Sequence, residues 1–264
     1  MMKRHMLFFD IDGTLLDDEK GVVPESAVRA LHEARERGHL LFLCTGRCQA
    51  IWPKEVLEIG FDGVVGGCGT HIVYHGKEIH HVTLDKTLQR EIADDLFRYH
   101  IDGILEGSTC SYFRKDVWMP VVQHIFEGNG VFSSNCQKYW EDELSFDKMA
   151  LWFDDSSDMN AFKQKYEDRF DFILRDPTFY EVVPKGCSKG NGIAFLCDYL
   201  GIDRQNTVGI GDSTNDLPML EYTGISIAMG SGNPDIFDSV DFVTAPVMED
   251  GIEIALRKYN FIGS

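Results

Sequence analysis

The chain carries two carboxylates two positions apart, directly after a short apolar run. Asp10 and Asp12 follow Leu7-Phe8-Phe9, and they are followed by Gly13 and Thr14. A short apolar run bounded by turn residues is typical of a buried strand in a parallel sheet. Open α/β sheets bind their ligands at the carboxyl ends of such strands. Because neighbouring carboxylates repel each other, the pair favours a bound cation or a catalytic role at this position.

Similar polar groups follow two other predicted strands and begin one predicted helix. The apolar run Leu40–Cys44 ends in Thr45-Gly46-Arg47, and Ser188-Lys189-Gly190 opens a helical pattern. Thr207–Ile210 predicts another short strand, which runs into Gly211-Asp212-Ser213-Thr214-Asn215-Asp216. Each motif alone is weak, but three strand ends and one helix start in this order indicate a single site at one edge of a sheet.

These four motifs resemble those of haloacid dehalogenase superfamily phosphatases of the Cof type, which have a large type IIB cap. Residues 10–14 match the first motif, Asp-x-Asp-Gly-Thr, and Thr45 matches the second. Lys189 matches the lysine of the third motif, and residues 211–216 match the fourth, Gly-Asp-x-x-Asn-Asp. The resemblance covers nearly the whole chain. One departure is Gly67-Cys68-Gly69, which stands where many relatives carry Asn-Gly-Ala.

The first motif predicts covalent catalysis of phosphoryl transfer. Carboxylates act as nucleophiles toward phosphorus in aspartyl-phosphate enzymes, which makes Asp10 the candidate nucleophile. Asp12 would protonate the leaving alcohol and later accept a proton from water. For Asp12 the structural alternative is an Asx turn. By resemblance, ATPases of the superfamily carry Thr at this position, and the dehalogenases lack the acid pair.

The remaining motif residues are predicted to bind the phosphoryl group. Thr45 and the N–H of Gly46 suit a phosphate oxygen, and Lys189 at a helix start suits both the phosphoryl group and Asp10. Asn215 is expected to hydrogen-bond in the same cluster. Arg47 has two possible roles, one in binding phosphate and one as a solvent-facing residue at a helix start.

The acidic residues also predict a magnesium site. Asp10, Asp212 and Asp216 offer an all-oxygen donor set, and Mg²⁺ needs only one or two carboxylates besides water and substrate phosphate. The resemblance assigns the Asp10 side chain, the Asp12 backbone carbonyl and Asp212 as ligands, with Asp216 binding directly or through water. The alternative role for Asp216, a helix N-cap, is compatible with this assignment.

The order of predicted elements indicates an α/β fold with an insertion. Alternating strands and helices predict a doubly wound, Rossmann-like parallel sheet formed by residues 1–83 and 187–264. Roughly 140 residues separate Arg47 from Lys189, too many for one connection in a compact sheet. They contain helices and several short strands of their own. We therefore expect an inserted α+β cap domain at residues 84–186.

Several individual elements are also predicted. Residues 24–37 and 51–59 should form helices in the core, and 158–169 a helix in the cap. Residues 71–82 suggest a hairpin that turns at Gly76-Lys77. The four histidines near this hairpin are interpreted as surface imidazoles, not a metal site; they are His71, His75, His80 and His81.

Composition limits the partners. The 264 residues are 44% hydrophobic and carry a net charge of −18, which argues against nucleic acid or an anionic membrane as partner. The field of such a chain repels phosphate esters, so a bound cation and local N–H groups must reverse it at the site.

Seven cysteines without a Cys-x-x-Cys pair predict reduced thiols. No apolar run is long enough for a signal-peptide core or a membrane span, which predicts a soluble cytoplasmic protein.

Together these observations predict a Mg²⁺-dependent phosphomonoester hydrolase that uses an aspartyl-phosphate intermediate. Its substrate would be a small phosphorylated metabolite, such as a sugar phosphate, over which the cap closes. One alternative is a phosphomutase acting on sugar phosphates, whose relatives share the acid pair and a similar cap. Another is a phospho-ligand sensor without turnover, against which Asp12 argues, since binding needs no general acid. Four cap residues are candidates for substrate contact, namely Tyr112, Arg114, Lys115 and Trp118. The sequence indicates neither the exact substrate nor the oligomeric state.

Overall fold

The computed structural model describes residues 4–17, 19–127 and 137–263. The chain divides into two compact units. We call Met1–Gly46, Pro53–Ile79 and Ser188–Ser264 the core unit, and Arg47–Trp52 with His80–Cys187 the insert unit. The units divide at 79/80 and 187/188, near the predicted domain boundaries at 83/84 and 186/187, which stay predictions. The short segment that contains Arg47 belongs to the insert unit.

The described strands form two sheets. In chain order they are β1 Met6–Phe9, β2 Leu40–Cys44, β3 Gly63–Gly66, β4 His71–Tyr74, β5 Lys77–His81, β6 Asp102–Glu106, β7 Ser111–Phe113, β8 Gln137–Tyr139, β9 Lys148–Trp152, β10 Phe170–Asp176, β11 Phe179–Pro184, β12 Thr207–Gly211, β13 Ile225–Ala228 and β14 Phe242–Val243. The α-helices are α1 Glu25–Glu36, α2 Lys54–Leu57, α3 Lys86–Arg98, α4 Pro120–Phe126, α5 Met159–Tyr166, α6 Lys189–Leu200, α7 Leu217–Tyr222 and α8 Gly251–Lys258.

The first sheet has the strand order β14-β13-β12-β1-β2-β3-β4-β5. From β14 to β3 every neighbouring pair is parallel, and β3 pairs with β4 in antiparallel fashion. The strand β1 lies between β12 and β2, with Phe9 in register with both Ile210 and Leu43. The carboxyl ends of these three strands therefore lie at the same edge of the sheet, as the positions of the motifs predict.

Helices cover both faces of this sheet. Alternate side chains of the central strands, among them Phe8 and Phe42, form one buried cluster with Ile193 of α6 and Met219 of α7. The helices α1 and α8 pack against each other, and α1 also packs on β2. Neither α1 nor α8 contributes to the first cluster, so they cover the opposite face. The predicted doubly wound α/β fold is confirmed.

The predicted helix at 51–59 is wrong in its extent. The structure has a 3₁₀ turn at Gln49–Ile51, then an extended Trp52 with φ −67° and ψ 129°, and only then the short helix α2. Pro53 explains the break, because proline disfavours the helical conformation in the residue before it. The proline then sits at the N-cap of α2, where its missing N–H costs nothing.

The insert unit is an α+β body built on a second sheet. Its strand order is β10-β11-β9-β6-β7-β8, antiparallel except between β7 and β8. Side chains of α3 and α5 pack on one face around Leu105 and Met149. On the other face Ile104 and Ala150 pack with Val122 of α4. The sequence indicated neither α4 nor β8, and the helix predicted at 158–169 is shorter than expected.

Two further expectations concern the membrane and the cysteines. Among the described residues no helix is long and apolar enough to cross a membrane. The six described cysteines, 44, 48, 68, 110, 187 and 197, are buried free thiols. Cys136 lies outside the described residues.

Candidate active site

Three acidic side chains from the predicted motifs converge at the carboxyl edge of the core sheet. Asp10 directly follows β1, Asp212 directly follows β12, and Asp216 lies in the turn before α7. One carboxylate oxygen from each lies within 4.8 Å of one from each of the others. Asp10 and Asp216 are buried, and Asp212 is half-buried. The structure thus brings together residues that are about two hundred positions apart in the sequence, as expected for neighbouring parallel strands.

A buried lysine bridges two of these carboxylates. Lys189 Nζ donates to Asp10 Oδ1 at 2.6 Å and to Asp216 Oδ1 at 2.5 Å. Lys189 is the first residue of α6, whose N-cap Ser188 accepts a hydrogen bond from the N–H of Asn191. Burial by itself would lower the pKa of Lys189, but the carboxylates of Asp10 and Asp216 raise the pKa well above its usual value. The side chain is therefore an ammonium ion at neutral pH.

Asp216 also holds the loop that carries Asp212. Its Oδ2 accepts hydrogen bonds from the backbone N–H groups of Asp212 and Ser213, at 2.9 and 3.1 Å. Ser213 is the N-cap of the turn and forms a capping box with Asp216, so the predicted capping role is present alongside the contact with Lys189. Asn215 is half-buried, and its Oδ1 accepts a hydrogen bond from Ser213 Oγ at 2.6 Å.

The turn after Asp10 is shaped to let Asp212 approach. Gly13 has φ +70°, a conformation that favours glycine, and a Cβ there would lie 2.6 Å from Asp212 Oδ2. Thr14 donates from Oγ1 to Asp212 Oδ1 at 3.3 Å. The half-buried Asp12 lies in the same turn, bridged to Leu16 through the backbone. Gly13 and Thr14 thus both serve the close packing of this turn against the loop of Asp212.

The second motif forms a tight corner after β2. Thr45 is buried, its N–H donates to the Val65 carbonyl at 2.9 Å, and its own carbonyl accepts from the Cys68 N–H at 3.1 Å. Gly46 follows and is half-buried. Arg47 belongs to the insert unit, where its Nη1 donates to the Ile51 carbonyl at 3.4 Å. Its two predicted roles, in phosphate binding and as a solvent-facing residue at a helix start, stay predictions.

The charge balance of the cluster suits a divalent cation. With three ionised carboxylates and one ammonium group, the four side chains carry a net charge of −2. Burial raises the pKa of Asp10 well above its usual value, and the charge of Asp216 raises it further, while Lys189 opposes both effects. A set of carboxylate oxygens at this spacing fits Mg²⁺, which binds hard oxygen ligands. Asp216 already accepts hydrogen bonds at both oxygens, so Asp10 and Asp212 are the better direct ligands.

Comparison with known proteins identifies the family. Residues 7–256 match the model of the haloacid dehalogenase-like hydrolases. The chain belongs to this family. A Bacillus subtilis relative named "Putative phosphatase YkrA" is 28% identical over 99% of this chain and 100% of its own length. Another B. subtilis relative, 5-amino-6-(5-phospho-D-ribitylamino)uracil phosphatase YitU, is 23% identical over 97% of this chain and 98% of its own.

A solved structure supports the same assignment. The chain superimposes with a TM-score of 0.83 on a haloacid dehalogenase subclass IIB sugar phosphatase, BT4131, at 25% identity over 98% of this chain and 100% of the other. The predictions of the superfamily, of its subclass and of an enzyme of the phosphatase type are confirmed at this level. Within the haloacid dehalogenase-like fold, the acidic cluster lies at the strand ends where such sheets bind ligands.

One prediction about other side chains needs correction, and another stays a prediction. Of the candidates for substrate contact, Arg114 and Tyr112 are buried within the insert unit and form hydrogen bonds there. Arg114 forms a double hydrogen bond with Asp116, and the Tyr112 hydroxyl accepts from the N–H of Ser145. His71 is not a surface imidazole, because it is buried and lies 2.8 Å from Glu78.

A group of buried charges in the insert unit was not predicted from the sequence. Glu106, Lys148 and Glu181 are each at most 6% exposed, and both glutamates contact Lys148. A signal was available, since each is a charged residue within an apolar strand pattern. Their proximity was not visible, because strand pairing between distant segments brings them together.

Proposed function

We propose that this protein is a Mg²⁺-dependent phosphomonoester hydrolase that forms an aspartyl-phosphate on Asp10. Its substrate would be a small phosphorylated metabolite of the sugar-phosphate type. The observation that carries the proposal is the buried bridge from Lys189 to Asp10 and Asp216, next to Asp212. The Asp10 carboxylate is held against a buried ammonium group, in a cluster whose net charge is negative. Such a carboxylate is suited to attack a phosphate ester that binds together with a cation.

In the first step a carboxylate oxygen of Asp10 attacks phosphorus. The bond between phosphorus and the ester oxygen breaks as Asp12 donates a proton to the leaving alcohol. Thr45, the Gly46 N–H and Lys189 would bind the non-bridging phosphoryl oxygens, where negative charge develops. Lys189 is held in place by Asp216, so it needs no rearrangement to do this.

In the second step water attacks the phosphorus of the aspartyl-phosphate. Asp12, now ionised, takes a proton from the water, and the bond between phosphorus and the Asp10 oxygen breaks. Inorganic phosphate leaves, and both carboxyl groups return to their initial states. Mg²⁺ would be held by the Asp10 and Asp212 side chains and the Asp12 backbone carbonyl, with Asp216 binding directly or through water. When bound, the ion neutralises charge on the phosphoryl group. Asn215 would support the same loop.

Phosphate release by the purified protein tests this proposal. We expect hydrolysis of 4-nitrophenyl phosphate and of a set of sugar monophosphates with Mg²⁺, and loss of that activity in EDTA. Mg²⁺ should restore it, and Ca²⁺ should inhibit, because its larger and looser coordination misplaces the phosphate. Full activity in EDTA would refute the role of the metal. Transfer of phosphate between sugar positions that is stimulated by glucose 1,6-bisphosphate, without release of inorganic phosphate, would favour a phosphomutase.

A further inference from the structure

The outermost strand of the insert sheet is long and has an apolar centre. The strand β10, Phe170–Asp176, lies at one end of the strand order and pairs with β11 alone among the described strands. Its three central residues are Phe172, Ile173 and Leu174. Leu174 is 56% exposed, more than any other large apolar side chain in the described part of the chain. A sheet edge of this kind is a template for pairing with another strand.

The other three sheet edges in the described ranges have features that normally prevent such pairing. The strand β8, at the opposite end of the insert sheet, has three residues, and β14 of the core sheet has two. The strand β5 begins with the exposed Lys77 and Glu78 and ends in two histidines. Short length and charged residues both protect an edge. The seven residues of β10 contain no proline, and its charged residues flank the apolar centre. This edge therefore lacks the usual protection.

The backbone groups that point outward from this edge belong to Phe172 and Leu174. Just before the strand pair, the N–H of Lys185 donates to the carbonyl of Arg169 at 2.9 Å. Hydrogen-bonded positions alternate along an antiparallel pair. Ile173, four positions after Arg169, therefore bonds toward β11, whereas the N–H and C=O groups of Phe172 and Leu174 point away from it. These groups face the open side of the sheet.

The sequence of β10 is complementary to itself when it is paired in antiparallel fashion about Ile173. Asp171 and Arg175 lie two positions before and after this residue, and Phe172 and Leu174 lie next to it. In a two-fold pair centred there, each Asp171 lies opposite Arg175 of the second copy. Each Phe172 lies opposite Leu174, and the outward N–H and C=O groups of these two residues form the new ladder. Opposite charges and apolar pairs both stabilise facing positions of this kind.

The charged residues of the strand have capacity for this contact. Asp171 forms an exposed pair with Lys185 through Oδ1, at 2.8 Å, which leaves Oδ2 for a second cation. Arg175 is half-buried, and its Nη1 has no hydrogen-bond partner among the described residues. It lies where the ladder with β11 shifts register, at a bulge between Leu174 and Asp176. A carboxylate from a second copy would supply an anionic partner for its guanidinium group.

A groove beside β10 has room for a leucine from the second copy. It lies between α5 and the strand, has a volume of about 390 Å³, and is lined by Lys163, Phe170 and Phe172 among others. Leu174 shares its face of the strand with Phe172, because side chains alternate. In the centred pair, each Leu174 side chain would enter the groove beside Phe172 of the other copy. Its exposed apolar surface would then be removed from water.

We propose that two copies of this protein associate through β10, which pairs with itself in antiparallel fashion about Ile173. The two insert sheets then form one continuous sheet across a two-fold axis, with the same surface used by both copies. One strand pair buries less than the about 1,200–2,000 Å² of a standard interface, so the Kd should be on the order of 10–100 µM. The association does not depend on the proposed function.

Sedimentation equilibrium of the unaltered protein, from about 1 µM to 1 mM, tests for this dimer. Moderate salt, about 0.15 M, limits the repulsion between two chains of net charge −18. Leu174→Pro should abolish the dimer, because it removes an outward N–H and the leucine side chain without removing a bond to β11. Arg175→Glu should raise the Kd at least about tenfold, since like charges then face each other. Adding Asp171→Arg to Arg175→Glu should restore the dimer.

Lys138→Glu is the matched control, because it makes the same change of charge at an exposed position of β8, on the opposite edge of the sheet. It should leave the Kd within about twofold of the unaltered value. Circular dichroism and thermal unfolding should show that every variant is folded. A protein that stays monomeric throughout the concentration range would overturn the proposal. A dimer that survives both Leu174→Pro and Arg175→Glu, or that Lys138→Glu weakens equally, would also overturn it.

Cross-linking tests the register. Facing residues of a non-hydrogen-bonded pair have Cα atoms about 4.5 Å apart, which is within reach of a disulfide. Oxidation of Ile173→Cys with diamide should therefore yield a covalent dimer, whereas Lys138→Cys and the unaltered protein should not. A dimer that Ile173→Cys does not cross-link would refute the pairing. Tight binding of the peptide 169–177 and of its scrambled form alike, by a monomeric protein, would instead make this edge a general docking site for extended chains.

Discussion

Lys189 Nζ lies 2.6 Å from Asp10 Oδ1, although the two residues are 179 positions apart. The lysine is almost completely buried, so the contact is sheltered from solvent. Such a pair is held because each charge would be costly to bury alone. The geometry gives Asp10 a fixed orientation and places a positive charge beside the position proposed for phosphate.

Replacement of this lysine is the first test. Lys189→Met should lower kcat for 4-nitrophenyl phosphate by at least about 10²–10³-fold, because a positioned positive donor is lost. In EDTA it should also lower the free energy of unfolding by about 3–5 kcal/mol, since buried carboxylates lose their partner. Lys185→Met is the control, because Lys185 forms an exposed pair with Asp171. Near-normal turnover in Lys189→Met would contradict the proposed role.

The second prediction separates the two carboxylates of the first motif. Asp10→Asn should abolish turnover of both alkyl and nitrophenyl phosphates, because no nucleophile remains. Asp12→Asn removes the proton donor and base, which contribute about 10²–10⁴-fold. Its effect should be largest on alkyl phosphates, because their poor leaving groups need protonation, whereas nitrophenolate leaves without help.

The same variants predict different intermediates. In Asp12→Asn the phosphorylation step with 4-nitrophenyl phosphate should be retained, so a burst of nitrophenolate precedes a slow steady state. Acid quench and mass analysis of the Asp10 peptide should show phosphate on that residue. Asp10→Asn should show neither the burst nor the modified peptide. Phosphate on a different residue would remove Asp10 from its role.

The core of the fold was predictable because local patterns determine it. The runs at β1, β2 and β12 are short and apolar, and each ends in polar motif residues, so both the strands and their shared edge follow from the sequence. The contact of Lys189 with Asp10 was predicted from the motifs, but its second contact, with Asp216, was not. The roles of Asp216 in the capping box and of Gly13 in close packing became visible only with the geometry.

The insert unit was less predictable for a physical reason. Its sheet is mainly antiparallel and pairs distant segments, such as Asp102–Glu106 with Lys148–Trp152. No local periodicity encodes these pairings, so the contacts of Lys148 with Glu106 and Glu181 could not be inferred from the strands taken singly. The short helix Pro120–Phe126 spans only seven residues, too few for a clear helical period.

The third prediction concerns the departure from the usual Asn-Gly-Ala. Cys68 is buried and has φ 55° and ψ 39°, a left-handed conformation that β-branched residues rarely adopt. Cys68→Val should therefore be less stable than Cys68→Ala by about 1–2 kcal/mol, although valine buries more apolar surface. Cys44→Val is the control, because Cys44 lies in an extended strand that suits valine.

Urea denaturation measures the free energy of unfolding of each variant, and these values can be compared directly when the m-values are equal. If Cys68→Val were as stable as Cys68→Ala, the left-handed conformation would not be imposed by the loop. The backbone N–H of Cys68 donates to Thr45, and a Cβ on the neighbouring Gly69 would lie 2.4 Å from the Ser188 carbonyl. Strain in this loop should therefore also reach the start of α6 and lower activity in Cys68→Val.

The fourth prediction concerns pH and a buried histidine that directly precedes β2. His39 is 4% exposed, its Nδ1 accepts from the N–H of His5, and its ring packs edge-on against Phe261. Its Nε2 has no hydrogen-bond partner within the described residues. Burial, together with His5 and Arg37, lowers the pKa of His39 from 6.5 to about 4.

The unfolded chain therefore binds a proton at His39 between about pH 6.5 and 4, whereas the folded protein does not. Stability should be complete above that window and fall through it as pH decreases, by up to about 3 kcal/mol. His39→Asn keeps an acceptor for the His5 N–H but does not titrate, so its unfolding free energy should fall less between pH 7 and 4. His124→Asn, at an exposed position on α4, should follow the unaltered protein. The measurement is the free energy of unfolding of each protein as a function of pH. If the unaltered protein and His39→Asn lost the same free energy of unfolding between pH 7 and 4, His39 would not be buried in its neutral form.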